Sequence, residues 1–156
     1  MAGMSDYLES GIINLIFRSN TNSFAAPGNL ALALCSGVPQ DHQTGSTIPE
    51  IASGVVVDGD WVLNGYKRYN LNSPAVSGDV TWSQVDSSGV TNNFKRLSFP
   101  ACSNTAWGLI SGVAICNKSG IGTGQMLMHG KLATPITIRT GETFAFNIGD
   151  LEINLF

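Results

Sequence analysis

Charge is scarce in this chain. Asp, Glu, Lys and Arg make up 12% of its 156 residues, about half the ordinary share. A binder of nucleic acid needs a basic face, yet eight Lys and Arg face eleven Asp and Glu here, for a net charge of −3. Histidine is scarcer still: His42 and His129 are the only two. No Gly-x-Ser-x-Gly elbow is present to seat a nucleophile. The three cysteines, Cys35, Cys102 and Cys116, are an odd number without Cys-x-x-Cys spacing, which fits neither a disulfide framework nor a zinc site. Each lies among apolar neighbours, so the expectation is buried, reduced thiols in a protein assembled in a reducing cytoplasm. No stretch reaches the ~20 apolar residues of a membrane span, and the first residues lack the basic and apolar regions of a signal peptide. No cofactor is implied. A sparsely charged surface suits a protein that turns much of its surface to other proteins. It suits equally a Ser/Thr/Asn-rich β-protein kept in solution by neutral polar groups.

What is abundant is apolar sequence in short runs. Trp107–Asn117 is too apolar for a solvated loop, short for a helix, and interrupted by two glycines. Val113 and Ile115 favour a strand, and a strand apolar on both faces has to be covered on both. It is therefore expected at the centre of the fold. Asn29–Cys35 is a second such strand, with Leu30, Leu32 and Leu34 alternating against Ala31, Ala33 and Cys35. Asp58-Gly59 between Ile51–Val57 and Trp61–Leu63 signals a hairpin. Further strands are expected at Tyr66–Leu71, Val80–Val85, Val90–Asn93, Phe94–Phe99, Met126–Ala133, Thr137–Arg139, Thr143–Asn147 and Leu151–Leu155. Turn signals recur about every ten residues from Gly28 onward, the mark of a sandwich or barrel.

The exception is Asp6–Arg18. Leu8, Ile12, Leu15 and Ile16 keep helical spacing, and Asp6 with Glu9 reads as a capping pair. Ile13 and Phe17 widen the apolar stripe, so this helix is expected either to plug an open end of the sandwich or to pack on neighbouring subunits. The fold expected is all-β: one antiparallel β-sandwich domain (jelly-roll or Ig-like) over about 29–156, with one N-terminal α-helix over about 6–18.

Chemistry is hard to find. His42 has Asp41 beside it, but in a polar loop, Ser36–Pro49, without a nucleophile. That loop is long enough to have a task of its own. His129 is expected to hydrogen-bond at a strand edge or interface. Asp58, Asp60, Asp79 and Asp86 cluster mid-chain without the pattern of a calcium loop, so no metal site is assigned. Trp61, Trp82, Trp107, Tyr66 and Tyr69 could form a sugar platform, although core and interface anchoring is the commoner use of such rings. Lys67-Arg68 and Lys95-Arg96 alternate within expected strands and could meet an acidic patch on a partner. Candidate contact residues are Ile13, Phe17, Asp41, His42, Lys67, Arg68, Lys95 and Arg96.

The order of these landmarks resembles small virion proteins of tailed bacteriophages, those labelled tail fibre or capsid decoration proteins. The opening Ser5–Glu9 with Ile13-Asn14 and Phe17-Arg18 is similar to their first helix. Leu30–Pro39, Gly65-Tyr66-Lys67-Arg68, Phe99-Pro100-Ala101 and Trp107-Gly108 follow in the same order. Gly130-Lys131-Leu132, Pro135, Gly141-Glu142, Phe144 and Gly149-Asp150-Leu151 close the series. Gln40–Asn64 is longer than that pattern, which implies contacts particular to this virus. No heptad, collagen-like repeat or β-helical shaft is present. The resemblance implies a non-enzymatic virion structural protein. Read with the missing shaft, it implies a decoration or cement protein on the capsid surface, with a tail-fibre or tail-tip module, or a carbohydrate-binding receptor module, as the alternatives. It also implies a homo-oligomer, a trimer by analogy, whose partners are the major capsid protein or other virion proteins.

Overall fold

A computed structural model describes residues 2–18, 30–71 and 89–154. The expected strand Val80–Val85, the loop from Ser19 to Gly28, and Asp79, Trp82 and Asp86 lie outside the described residues. The fold is an antiparallel β-sandwich with an N-terminal helix. Its main sheet has the strand order β1–β9–β8–β2–β5, from β1 (Ala2–Met4), β9 (Met126–Ile138), β8 (Gly108–Cys116), β2 (Ala31–Cys35) and β5 (Tyr69–Asn70). β8 takes the central place its composition demands. It pairs with β2 from Ala31↔Cys116 to Cys35↔Gly112.

Both faces of β8 and β2 are covered, each by a different device. Leu32, Leu34, Val113 and Ile115 face the main core, where they meet Leu97, Phe99, Phe146 and Leu151 of the second layer. That layer consists of two short pairs, β6 (Val90–Asn92) with β11 (Glu152–Asn154) and β7 (Leu97–Ser98) with β10 (Ala145–Phe146). A chain of rings runs through it. Trp107 meets Tyr66 edge-on at 5.5 Å, Tyr66 stacks on Phe99 at 6.5 Å, and Phe99, Phe144 and Phe146 continue the row. Ala33, Cys35, Ala114, Cys116 and Met126 form a smaller core on the opposite face, closed by Ile48. All three cysteines are free and buried.

Several expected strands are shorter in the structure. Tyr66–Leu71 contributes only Tyr69–Asn70, because Asn64 to Arg68 is held by side chains instead of a ladder. Asn64 Oδ1 accepts the Tyr66 N–H, and Asn64 Nδ2 donates to Ala52 O. Phe94–Phe99 likewise contributes only Leu97–Ser98, since Asn93 clamps the preceding turn. Conversely, the two strands expected at 126–133 and 137–139 are one strand, β9. Its register against β8 slips between Ile110↔Ile136 and Gly112↔Lys131, so the extra residues, Pro135 among them, sit in an irregularity where a missing donor costs no ladder bond. β1 is an edge strand on β9 that alternation did not reveal.

The helix α1 spans Asp6–Arg18 as expected, but its cap is Ser5. Ser5 Oγ accepts the Leu8 N–H and donates to Met126 O, and Ser5 O accepts the first helical bond from Glu9. Asp6 and Glu9 lie inside the first turn, where their charge suits the helix dipole. α1 leans on β9 and β1. Among the described residues no helix is long and apolar enough to cross a membrane.

Candidate functional site

Gln40, Gln43, Thr44 and Thr47 fold the loop 36–49 on itself through short side-chain-to-backbone bonds. Its ends meet, with Ser36 N–H donating to Pro49 O and an isolated bridge between Cys35 and Glu50. The result is a compact Ω-type loop. Besides backbone bonds such as Gly45 N–H to Gly124 O, two side-chain pairs fasten it to the body. The stronger is that of Arg68, which is 4% exposed. Its Nε and Nη2 fork onto Glu50 Oε1 and Oε2 at 2.8 and 2.6 Å. Nη1 donates to Lys118 O and Thr123 O, and Nη2 also donates to Gly45 O. All five guanidinium protons thus have acceptors. Burial is the largest single influence on Arg68 and opposes its charge, but Glu50's hydrogen bonds and the electrostatic influence of Cys116, Glu50 and Tyr66 together outweigh it and keep the guanidinium protonated. Glu50 also accepts from Tyr66 Oη, whose own oxygen accepts the Leu34 N–H.

The second fastening joins Asp41 to His129, with Oδ1 and Nε2 2.6 Å apart. Asp41 O also accepts the Asp6 N–H, so this loop touches both β9 and the start of α1. His129 Nδ1 is buried without a partner. His129 does hydrogen-bond, but from inside the sheet, between β1 and β8, where an edge position was expected; its carboxylate comes from the loop. Asp41 acts with His129, not with its neighbour His42, which is exposed.

Among the described residues, two elements in particular carry bare apolar faces. α1 buries Leu8 at its first turns, but its second half runs past the sheet: Ile13, Ile16 and Phe17 are exposed, Phe17 to 79%. Plugging the sandwich is thus excluded as the helix's task. The hairpin of β3 (Gly54–Val57) and β4 (Asp60–Leu63) is the other. Asp58 and Gly59 turn it with φ of 51° and 93°, as a two-residue I′ turn requires. Val56 pairs with Trp61, and with Leu63 they make an open apolar face; Trp61 is 59% exposed.

Residues 3–154 match the family described as Podophage GP4 fiber I protein gp80. The chain belongs to that family. No curated protein matches it. It is a structural component of a tailed-phage virion.

Of the sequence candidates in this phage protein, Ile13, Phe17, Asp41, His42, Lys67 and Arg96 are exposed and Lys95 is half-buried. Arg68 is a correction: its guanidinium cross-links the loop from within and has no surface to offer a partner. The proposed sugar platform also dissolves among the described residues. Trp107 and Tyr66 are core, with Trp107 Nε1 donating to Asn64 O, and Trp61 stands apart on the hairpin. Among the described residues no three His, Cys, Asp or Glu gather as a metal site. Sequence reasoning missed the bare hairpin. Its signal was present: Val55-Val56-Val57 and Trp61-Val62-Leu63 are apolar at every position, whereas a half-solvated hairpin alternates.

Proposed function

We propose that this phage protein is a non-enzymatic fibre subunit, assembled into the virion as a homo-oligomer and held to its neighbours by apolar contact. The observation that carries the reading is the bare second half of α1, on a helix whose first turns are firmly capped and docked. The family's description as a fibre protein favours the tail-associated location. The same description supports a non-catalytic role.

Capsid decoration, with the major capsid protein as partner, is the second reading. It is favoured by a sequence with no heptad or repeating shaft between Met1 and Phe156. Gold-labelled antibody on intact particles separates the two. The fibre reading expects label in a few positions at the tail; an even coat of label over the head would replace it with decoration.

A further inference from the structure

The β3–β4 hairpin is built like the interior of a sheet, but among the described residues no third strand pairs with it. Val55, Val56 and Val57 are all β-branched, as in strands covered on both faces, and an isolated two-stranded hairpin is barely stable in water. Yet among the described elements β3 and β4 make their substantial contacts only with each other. The only charges between Gly54 and Leu63 are Asp58 and Asp60, at the tip.

A second apolar surface, edged by a base where the hairpin carries acids, lies elsewhere on the same chain. Asn93 Nδ2 donates to Lys95 O and Asn147 O, while its backbone and side-chain oxygens accept from Gly149 and Leu151. This clamp sets two turns side by side and leaves Phe94 63% and Ile148 67% exposed. Arg96 is exposed beside Phe94, with Lys95 half-buried between them. Of the nearby acids, Asp150 has its Oδ2 engaged by the Asn147 N–H, and Glu152 of β11 pairs in register with Asn92 of β6.

We propose that the hairpin of one copy docks on the Phe94–Ile148 corner of a second copy, with Asp60 and Asp58 meeting Arg96 at the rim. The apolar area suits a small specific contact. Val56, Trp61 and Leu63 on the open face of the hairpin and the two side chains at the corner offer on the order of 600 Å². That is the apolar share of an interface of roughly 1,000 Å² in total, at the small end of specific contacts. A sugar would need polar partners around Trp61, where Val56 and Leu63 stand instead. Because the two patches differ, the contact is head-to-tail, and it closes into a ring such as a trimer if the rotation permits. The contact presupposes a protein that works as an assembled virion subunit. Particle labelling tests that location and solution assembly tests the contact, so either can fail alone.

The test is the assembly of the full-length purified chain across a concentration series, followed by light scattering. Asp60→Lys is expected to raise the concentration at half-assembly about ten-fold, and Arg96→Asp to do the same. Combined in one chain, they should return it to within about three-fold of the parent, the non-additivity of a direct contact. Trp61→Ala should abolish assembly with an unchanged circular dichroism spectrum. Cysteines placed at Asp60 in one preparation and Arg96 in another should cross-link only between chains. Strictly additive charge effects, a Trp61→Ala protein that assembles normally, or a parent that stays monomeric throughout would each overturn the proposal. So would a Trp61→Ala protein that loses binding on a glycan array while assembling as before.

Discussion

Arg68 and Glu50 form a forked ion pair inside the protein, with side chains 0% and 5% exposed. The pair joins residues 18 positions apart and draws in three backbone carbonyls from two further loops. A segment that carries no strand of its own between Ser36 and Pro49 is thereby fixed against the closed face of the sheet.

Removing one member of such a pair leaves a buried charge unmatched, which costs about 3–5 kcal/mol. Arg68→Met and Glu50→Gln should each approach that cost in urea unfolding. The double variant Arg68→Met/Glu50→Leu should lose less than the two singles summed, because no uncompensated charge remains. Hydrogen exchange should quicken first in residues 36–49. A single variant within 1 kcal/mol of the parent would show that the pair is not what holds the loop.

Alkali should attack the same region. Burial pushes the Cys116 thiol from 9.0 up to about 11, with Arg68's charge opposing and Glu50's adding to the rise. Burial raises Cys35 and Tyr66 in the same direction, and Glu50 reinforces both. The folded state therefore disfavours the ionised forms. Stability from these groups is complete below the ordinary thiol value near 9.0 and is lost as pH climbs toward and past 11. Thermal midpoints should be flat to about pH 9 and fall above it. A thiol reagent at pH 8 should leave Cys35 and Cys116 unmodified until the protein unfolds.

The buried Gly45 is placed by close approach. A Cβ there would run into the carbonyl oxygens of Thr123 and Gly124, and Gly45 N–H donates to Gly124 O at 2.9 Å. Gly45→Ala should destabilise by about 1–3 kcal/mol, as overpacking does. Gly112→Ala should behave alike, since its Cβ would meet Gly37 O at 2.6 Å. Denaturant midpoints compare the two; a neutral Gly45→Ala would mean that the 117–125 turn yields freely.

What could be read beforehand follows from where the information sits. β8 and β2 were legible because their apolarity on both faces admits only an interior position, and α1 because one face repeats over three turns. The Asp58-Gly59 turn was legible because few residue pairs accept two positive φ values. Arg68 was not, since in sequence it alternates like any strand residue; its acceptors at 45, 50, 118 and 123 are brought together only by the fold. The same holds for Asp41 and His129, separated by 88 positions. Ser5 was passed over for Asp6 because both are good caps, and only the bond to Met126 O decides between them.

The exposed half of α1 gives the clearest separation of folding from assembly. Leu8 is buried against the sheet, so Leu8→Ala should cost about 2–5 kcal/mol. Ile16 and Phe17 touch little in the single chain. Ile16→Lys and Phe17→Lys should therefore shift stability by no more than about 0.5 kcal/mol, and a cation near the helix C-terminus even complements the dipole. If this face holds the subunit to its neighbours, the same two substitutions should sharply reduce incorporation into phage particles, measured by blotting purified virions. A Leu8→Ala protein that does fold at low temperature should still incorporate. Full incorporation of the double Lys variant would leave the bare helix without the role given to it here, and would move the burden of attachment to the hairpin.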